Sequence, residues 1–187
     1  MPIAVTLDLD AAAAARIEPL WDALERDGAL PTTRRLGVRP HLSLAVYEGL
    51  DPAGLLPRLD RFAQGLTPVA ISLASIGLFV DGPRATIFLG PVPDRVLLDL
   101  HGAFHHEFAD CVDRCIAHYR PLNWVPHLTL AQDVAADALP EAVARLAAPM
   151  AAFSGTLDVL TAVRYLPVEP LARYLLGPPP ERGTSEG

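Results

Sequence analysis

Apolar and polar positions divide the chain into alternating strand-like and helix-like stretches. Residues 3–9 (IAVTLDL) read as a strand, and 11–26 as an alanine-rich helix with Ile17, Leu20, Trp21 and Leu24 at helical spacing. Pro19 kinks that helix or delays its start. Residues 41–48 read as an alternating strand, and Leu55, Leu59 and Phe62 mark a short helix. Residues 69–80 and 85–90 then form a hairpin across Asp81-Gly82-Pro83. The longest helical stripe follows, through Val96, Leu97, Leu100, Phe104, Phe108, Cys111, Val112 and Cys115. Strand 126–132, helix 138–149 and hairpin 156–177 repeat the order. Because each half closes in a hairpin, the pattern predicts an α+β fold of two pseudo-symmetric lobes of mainly antiparallel sheet, with outer helices and a central cleft.

The order is repeated because the sequence is. Residues 39–45 read RPHLSLA and 125–131 read VPHLTLA, their histidines 86 positions apart. At the same offset Ser75 meets Thr161 and Phe79 meets Tyr165. With one residue added, ATIFLG (85–90) meets ARYLLG (172–177). Residues 1–177 are therefore expected to form a single bilobal domain built from a duplicated βαβαβ-type half, and 178–187, opening on three prolines, a disordered tail.

Composition narrows the chemistry. The chain has 187 residues, enough for a sizeable core, and 51% are apolar, which argues against disorder. A net charge of −7 disfavours a grip on long duplex nucleic acid but leaves room for a small or single-ended anion. All 15 basic residues are arginine, so mechanisms that need a lysine amine, including lysyl-adenylate ligation, are excluded. The two cysteines give no secreted disulfide framework, the first ten residues do not read as a signal peptide, and 63–80 makes a poor membrane span. A cytoplasmic monomer without membrane contact is expected.

In His41-Leu42-Ser43-Leu44 and His127-Leu128-Thr129-Leu130 a strand sets the imidazole and the hydroxyl on one face and both leucines on the other. Imidazole and hydroxyl then stand roughly 6–7 Å apart, enough to straddle one phosphate. Two copies facing each other across a pseudo-two-fold axis would aim two imidazoles at one phosphorus, one neutral to accept a proton and one charged to donate.

Two such tetrapeptides, one per half of a chain of this size, resemble the 2H phosphoesterase superfamily, in particular its 2'-5' RNA ligase (LigT-like) and cyclic phosphodiesterase branches. The resemblance covers roughly residues 2–177. It implies metal-independent hydrolysis of 2',3'-cyclic phosphates of nucleotides or RNA ends, with no cofactor. It maps the catalytic pair onto His41 and His127, and the phosphate-binding hydroxyls onto Ser43 and Thr129. Family analogy leans towards His41 as acid and His127 as base. Ser43 departs from the commoner threonine. The alternatives are a non-catalytic module that binds a nucleotide or RNA end in the same cleft, and 2'-5' RNA end joining, which the acidic composition does not favour.

Other residues carry two readings. His101 and His105, at i and i+4, could begin a zinc site, but no third ligand completes it, and they are expected to flank the buried stripe at the surface. Tyr47, Phe79 and Tyr165 could stack a nucleobase or simply pack. Arg34, Arg35 and Arg39 could hold a second phosphate or form a solvated loop. Cys111 and Cys115 read as small core residues.

Overall fold

A β-α-β-α-β order recurs along the chain in the computed structural model, which describes residues 1–26, 30–165 and 167–177. The first half contains β1 (Ile3–Leu9), α1 (Ala11–Ala15), α2 (Glu18–Glu25), β2 (His41–Tyr47), α3 (Pro52–Gln64) and β3 (Val69–Asp81). The second contains β4 (Arg84–Pro91), α4 (Arg95–Glu107), β5 (Leu128–Ala135), α5 (Leu139–Ala147) and β6 (Phe153–Arg164), followed by β7 (Glu169–Leu175). The tail expected at 178–187 lies outside the described residues.

The strands form one seven-stranded sheet in the order β2-β1-β6-β3-β4-β5, with β7 also paired to β6, and every pairing is antiparallel. The α+β reading therefore holds, although the halves share a sheet. Their longest strands join them, β3 over Val69–Leu73 lying against Phe153–Leu157 of β6. Exchanging β1 with β4, β2 with β5 and β3 with β6 leaves this pattern intact, so β4 opens the second half as β1 opens the first. Only β7 has no counterpart among the described strands.

Local chemistry explains the element ends. Asp10 accepts from the Ala13 amide at 2.9 Å and starts α1, and Asp94 does the same for α4 through Leu97 at 2.8 Å. The helix expected over 11–26 is two, because Pro19 is tolerated only in a first turn and begins a new one. The long stripe likewise breaks after Glu107 into a 3-10 helix, Ala109–Arg114. Cys111 and Cys115 are buried there as free thiols. Helices α3 and α4 meet through Phe62, edge-on to Phe104 at 5.5 Å and to Phe108 at 6.0 Å.

Candidate active site

A proline and a histidine lead into each motif strand: Pro40 precedes His41, the first residue of β2, and Pro126 and His127 precede β5. In β2, Leu42 and Leu44 are buried, as are Leu128 and Leu130 in β5, which fixes the strands and turns the alternate positions to the opposite face. That face is a cleft of about 370 Å³, lined by His41, Ser43, His127 and Thr129 together with Asp8, Arg39, Tyr119 and Arg173. The four motif residues singled out in the sequence are thus brought to one cavity.

The two imidazoles are held identically. Nδ1 of His41 lies 2.7 Å from the Arg39 carbonyl, and Nδ1 of His127 lies 2.7 Å from the Val125 carbonyl. A carbonyl only accepts, so each Nδ1 carries the proton and each Nε2 is the atom free for chemistry. Among the described residues neither Nε2 has a hydrogen-bond partner.

Their surroundings differ. The His127 ring packs T-shaped against Phe79 at 4.8 Å and Phe88 at 5.5 Å. Burial holds its pKa below the usual imidazole value, with His118 and His41 pushing the same way and the bond to Val125 opposing. His41 instead sits across the strand from Asp8, its register partner in β1. Asp8 is a buried carboxylate, its pKa raised by desolvation against the hydrogen bond from Thr161 and the charges of His41, Arg173 and Arg39.

Several expectations are corrected by the packing. His101 and His105 do not flank the stripe at the surface but are 4% and 5% exposed, on the face of α4 turned to β2. Nε2 of His101 bonds the Tyr119 carbonyl at 3.0 Å, and Nε2 of His105 bonds the Leu44 carbonyl at 3.2 Å. The His101 ring stacks at 3.9 Å on Trp124, whose indole N–H donates to the Ser43 carbonyl at 3.0 Å. The two histidines hold the backbone behind the motif, and among the described residues no group of three or more His, Cys, Asp or Glu could gather a metal.

Tyr47 is buried, not in the cleft. A register shift between Val5 and Thr6 places a bulge in the β1/β2 pair, breaks the period of two after Ser43, and turns Val46 to the cleft instead. Phe79 stacks on Phe88 at 4.3 Å, whereas Tyr165 lines the cavity with its hydroxyl 3.2 Å from Gln132 Oε1. Arg34 is occupied by Glu18, Asp22 and Glu25, and Arg35 lies 3.6 Å from Glu25. Of the three arginines only Arg39 reaches the cavity.

Sequence reasoning missed Asp8, Thr6, Tyr119 and Arg173. The signal for the first two was present: in IAVTLDL every second residue is apolar, leaving Ala4, Thr6 and Asp8 on one face, an unusual place for an acid in a strand with few polar neighbours.

The buried histidines make a stability prediction. Desolvation, with His105 alongside, lowers the His101 pKa to about 4, and desolvation lowers that of His105. An unfolded imidazole takes its proton near 6.5 whereas folded His101 does not until about 4, so stability is present above 6.5 and is lost as pH falls through this window. The loss is on the order of 3 kcal/mol for His101. Thermal melts from pH 7 to 4 should show a falling Tm, and His101→Phe, which keeps the stacking surface, should flatten the slope. An equal slope in that variant would place the proton uptake elsewhere.

The shape of this molecule, an open antiparallel sheet with a cleft between two related motif strands, is that of the LigT-like phosphoesterases. E. coli LigT complexed with NADP+ aligns with a TM-score of 0.59 at 18% identity, covering 93% of this chain and 96% of that one. The protein TT0787 of Thermus thermophilus aligns with a TM-score of 0.64 at 17% identity, covering 94% and 98%, and the crystal structure of a phosphoesterase gives 0.56 at 20%, covering 93% and 97%. The sequence model of the 2'-5' RNA ligase superfamily matches residues 9–169, and the chain belongs to that superfamily, the 2H phosphoesterases. No curated protein matches the sequence significantly. No helix among the described residues is long and apolar enough to cross a membrane.

Proposed function

We propose that the protein hydrolyses the 2',3'-cyclic phosphate of a nucleotide or RNA end without a metal ion or cofactor. Water attacks phosphorus while Nε2 of His127 takes its proton, the bond from phosphorus to one ribose oxygen breaks, and Nε2–H of His41 protonates that oxygen. The product is a phosphate monoester, with the two imidazoles left in exchanged protonation states until bulk water resets them. Ser43 and Thr129 donate their hydroxyls to the non-bridging oxygens.

The observation that carries this reading is the common cavity of both His-x-Ser/Thr pairs, each imidazole fixed through Nδ1 with Nε2 left free. The choice of His127 as base is supported by its aromatic surroundings and lowered pKa, which keep it neutral around pH 7. The partner is a small nucleotide or RNA end.

Phosphorus NMR of 2',3'-cyclic nucleotides with EDTA present should show conversion to a monoester. The pH profile of kcat/KM should be bell-shaped, with its acidic limb falling below the ordinary imidazole value of 6.5 because the base is His127. A flat profile from about pH 5 to 9 would remove the paired imidazoles from the mechanism. Tight phosphate binding without turnover would favour a binding module instead.

A further inference from the structure

The two halves of the cleft are related by strand exchange but are not equally filled. Leu42 pairs with Leu7 in the first half and Leu128 with Leu89 in the second, so the residues beside the two hydroxyls correspond: Thr6 beside Ser43 and Phe88 beside Thr129. Phe88 plugs its side. Its ring lies over Gly77, where a Cβ would come within 2.2 Å of it, and stacks on Phe79. Thr6 leaves the equivalent space open. The cavity accordingly runs over β1, β6 and β7, touching Thr6, Asp8, Thr161, Val163, Pro170 and Arg173, but not Phe88. Strand β7, which supplies two of these, is the one strand without a counterpart among those described.

We propose that this open side, floored by Thr6, Asp8 and Thr161 with Arg173 at its rim, is the subsite for the nucleoside part of the substrate, whose N–H or O–H donor meets the Asp8 carboxylate. The proposal rests on the reading under Proposed function, which sets the phosphate between the two histidines. A cavity of about 370 Å³ falls within the range of roughly 300–1,000 Å³ that takes whole small molecules, and so exceeds what a phosphate alone needs.

The floor is chemically suited to a donor. Asp8 is 5% exposed, Thr161 donates to its Oδ2 at 3.0 Å, and the Arg173 guanidinium stands 3.4 Å from the same oxygen. Among the described residues its Oδ1 has only a long contact, 3.4 Å from the Thr6 hydroxyl. A carboxylate accepts about four hydrogen bonds, so Oδ1 retains capacity for a donor on a molecule in the cleft. Desolvation raises its pKa, and a ligand donor would offset that cost through a hydrogen bond, as Thr161 already does in part. Val163 and Pro170 supply apolar surface for a flat ring.

The test compares kcat/KM for the adenosine, guanosine, cytidine and uridine 2',3'-cyclic phosphates with that for glycerol 1,2-cyclic phosphate, which has neither ring. The ratio of nucleoside to glycerol substrate should fall about 10-fold in Asp8→Asn, as expected for a hydrogen bond to a charged group, and further in Thr6→Phe, which copies Phe88 into the open side. Arg173→Ala, at a half-exposed position, should lower it threefold or more and keeps the test alive where the buried variants fail to fold. A loss shared by all substrates that carry a 5'-hydroxyl, absent for 5'-deoxy substrates, identifies a sugar donor, whereas a loss that depends on the base identifies a ring donor. Unchanged ratios in the folded variants overturn the subsite. Should the parent turn over no cyclic ester, the proposed hydrolysis falls, and the subsite is read instead by NMR titration with 3'-AMP against inorganic phosphate. A preference for the nucleotide that Thr6→Phe abolishes upholds it, and no preference overturns it.

Discussion

Replacing His41 or His127 by alanine is expected to lower kcat/KM on a 2',3'-cyclic nucleotide by about 10²- to 10⁴-fold, the usual contribution of a positioned acid or base. That corresponds to roughly 3–5 kcal/mol of barrier. The fold should survive, since among the described residues each imidazole makes only one hydrogen bond, to the carbonyl two residues before it, and both residues are partly exposed. The double variant should lose far less than the product of the single losses, because in the proposed mechanism acid and base act in one transition state and removing either disables the step. Ser43→Ala and Thr129→Ala should cost less, as each removes one of several donors around the phosphate. Turnover within threefold of the parent in both single histidine variants, measured at saturating and limiting substrate, would remove these residues from the chemistry.

The second large effect concerns stability. Phe104→Ala should destabilise the protein by about 3–5 kcal/mol, from lost burial and from a cavity the rigid neighbours cannot close. Phe104 is fully buried on α4, stacked at 4.7 Å on Phe108, edge-on to Phe62 of α3 and to His105. It therefore ties α4 to α3 and, through its neighbour His105, to the backbone of β2. Urea denaturation should report the loss as a lower midpoint with an unchanged slope. A shift below about 1 kcal/mol would mean that the helix pair repacks around the gap.

The residues that could be read from the sequence were those whose chemistry repeats. His41 and His127, with Ser43 and Thr129, recur at a fixed offset on strands whose leucines declare a buried side, so period and motif point the same way. The antiparallel α+β architecture was legible from the hairpins at 69–90 and 156–177, although the first of them joins the two halves instead of closing one, since β4 corresponds to β1 and not to β7. What the sequence hid were departures from period. A bulge beside Ser43 sent Tyr47 into the core and Val46 to the cleft, and the apolar run Leu44-Ala45-Val46-Tyr47, in which the alternation lapses, does not announce which residue is the extra one. The burial of His101 and His105 was hidden because it depends on α4 meeting carbonyls from distant segments, at Tyr119 and Leu44. Asp8 and Arg173 are 165 positions apart and meet only through the pairing of β1, β6 and β7.

Both strands that carry the motifs lie at the outer margins of the sheet, where unpaired carbonyls and amides invite a strand from another molecule. Each margin is already occupied. On β2 the carbonyls of Ser43, Leu44 and Val46 are taken by Trp124, His105 and the Ile116 amide, and Tyr47 bridges Cys115. On β5 the Thr33 hydroxyl reaches the Thr129 and Leu130 carbonyls and Thr32 bridges Ala131. Stripping one of these covers should thus do more than loosen a motif: it would open a template for edge-to-edge aggregation on a strand that lines the cleft.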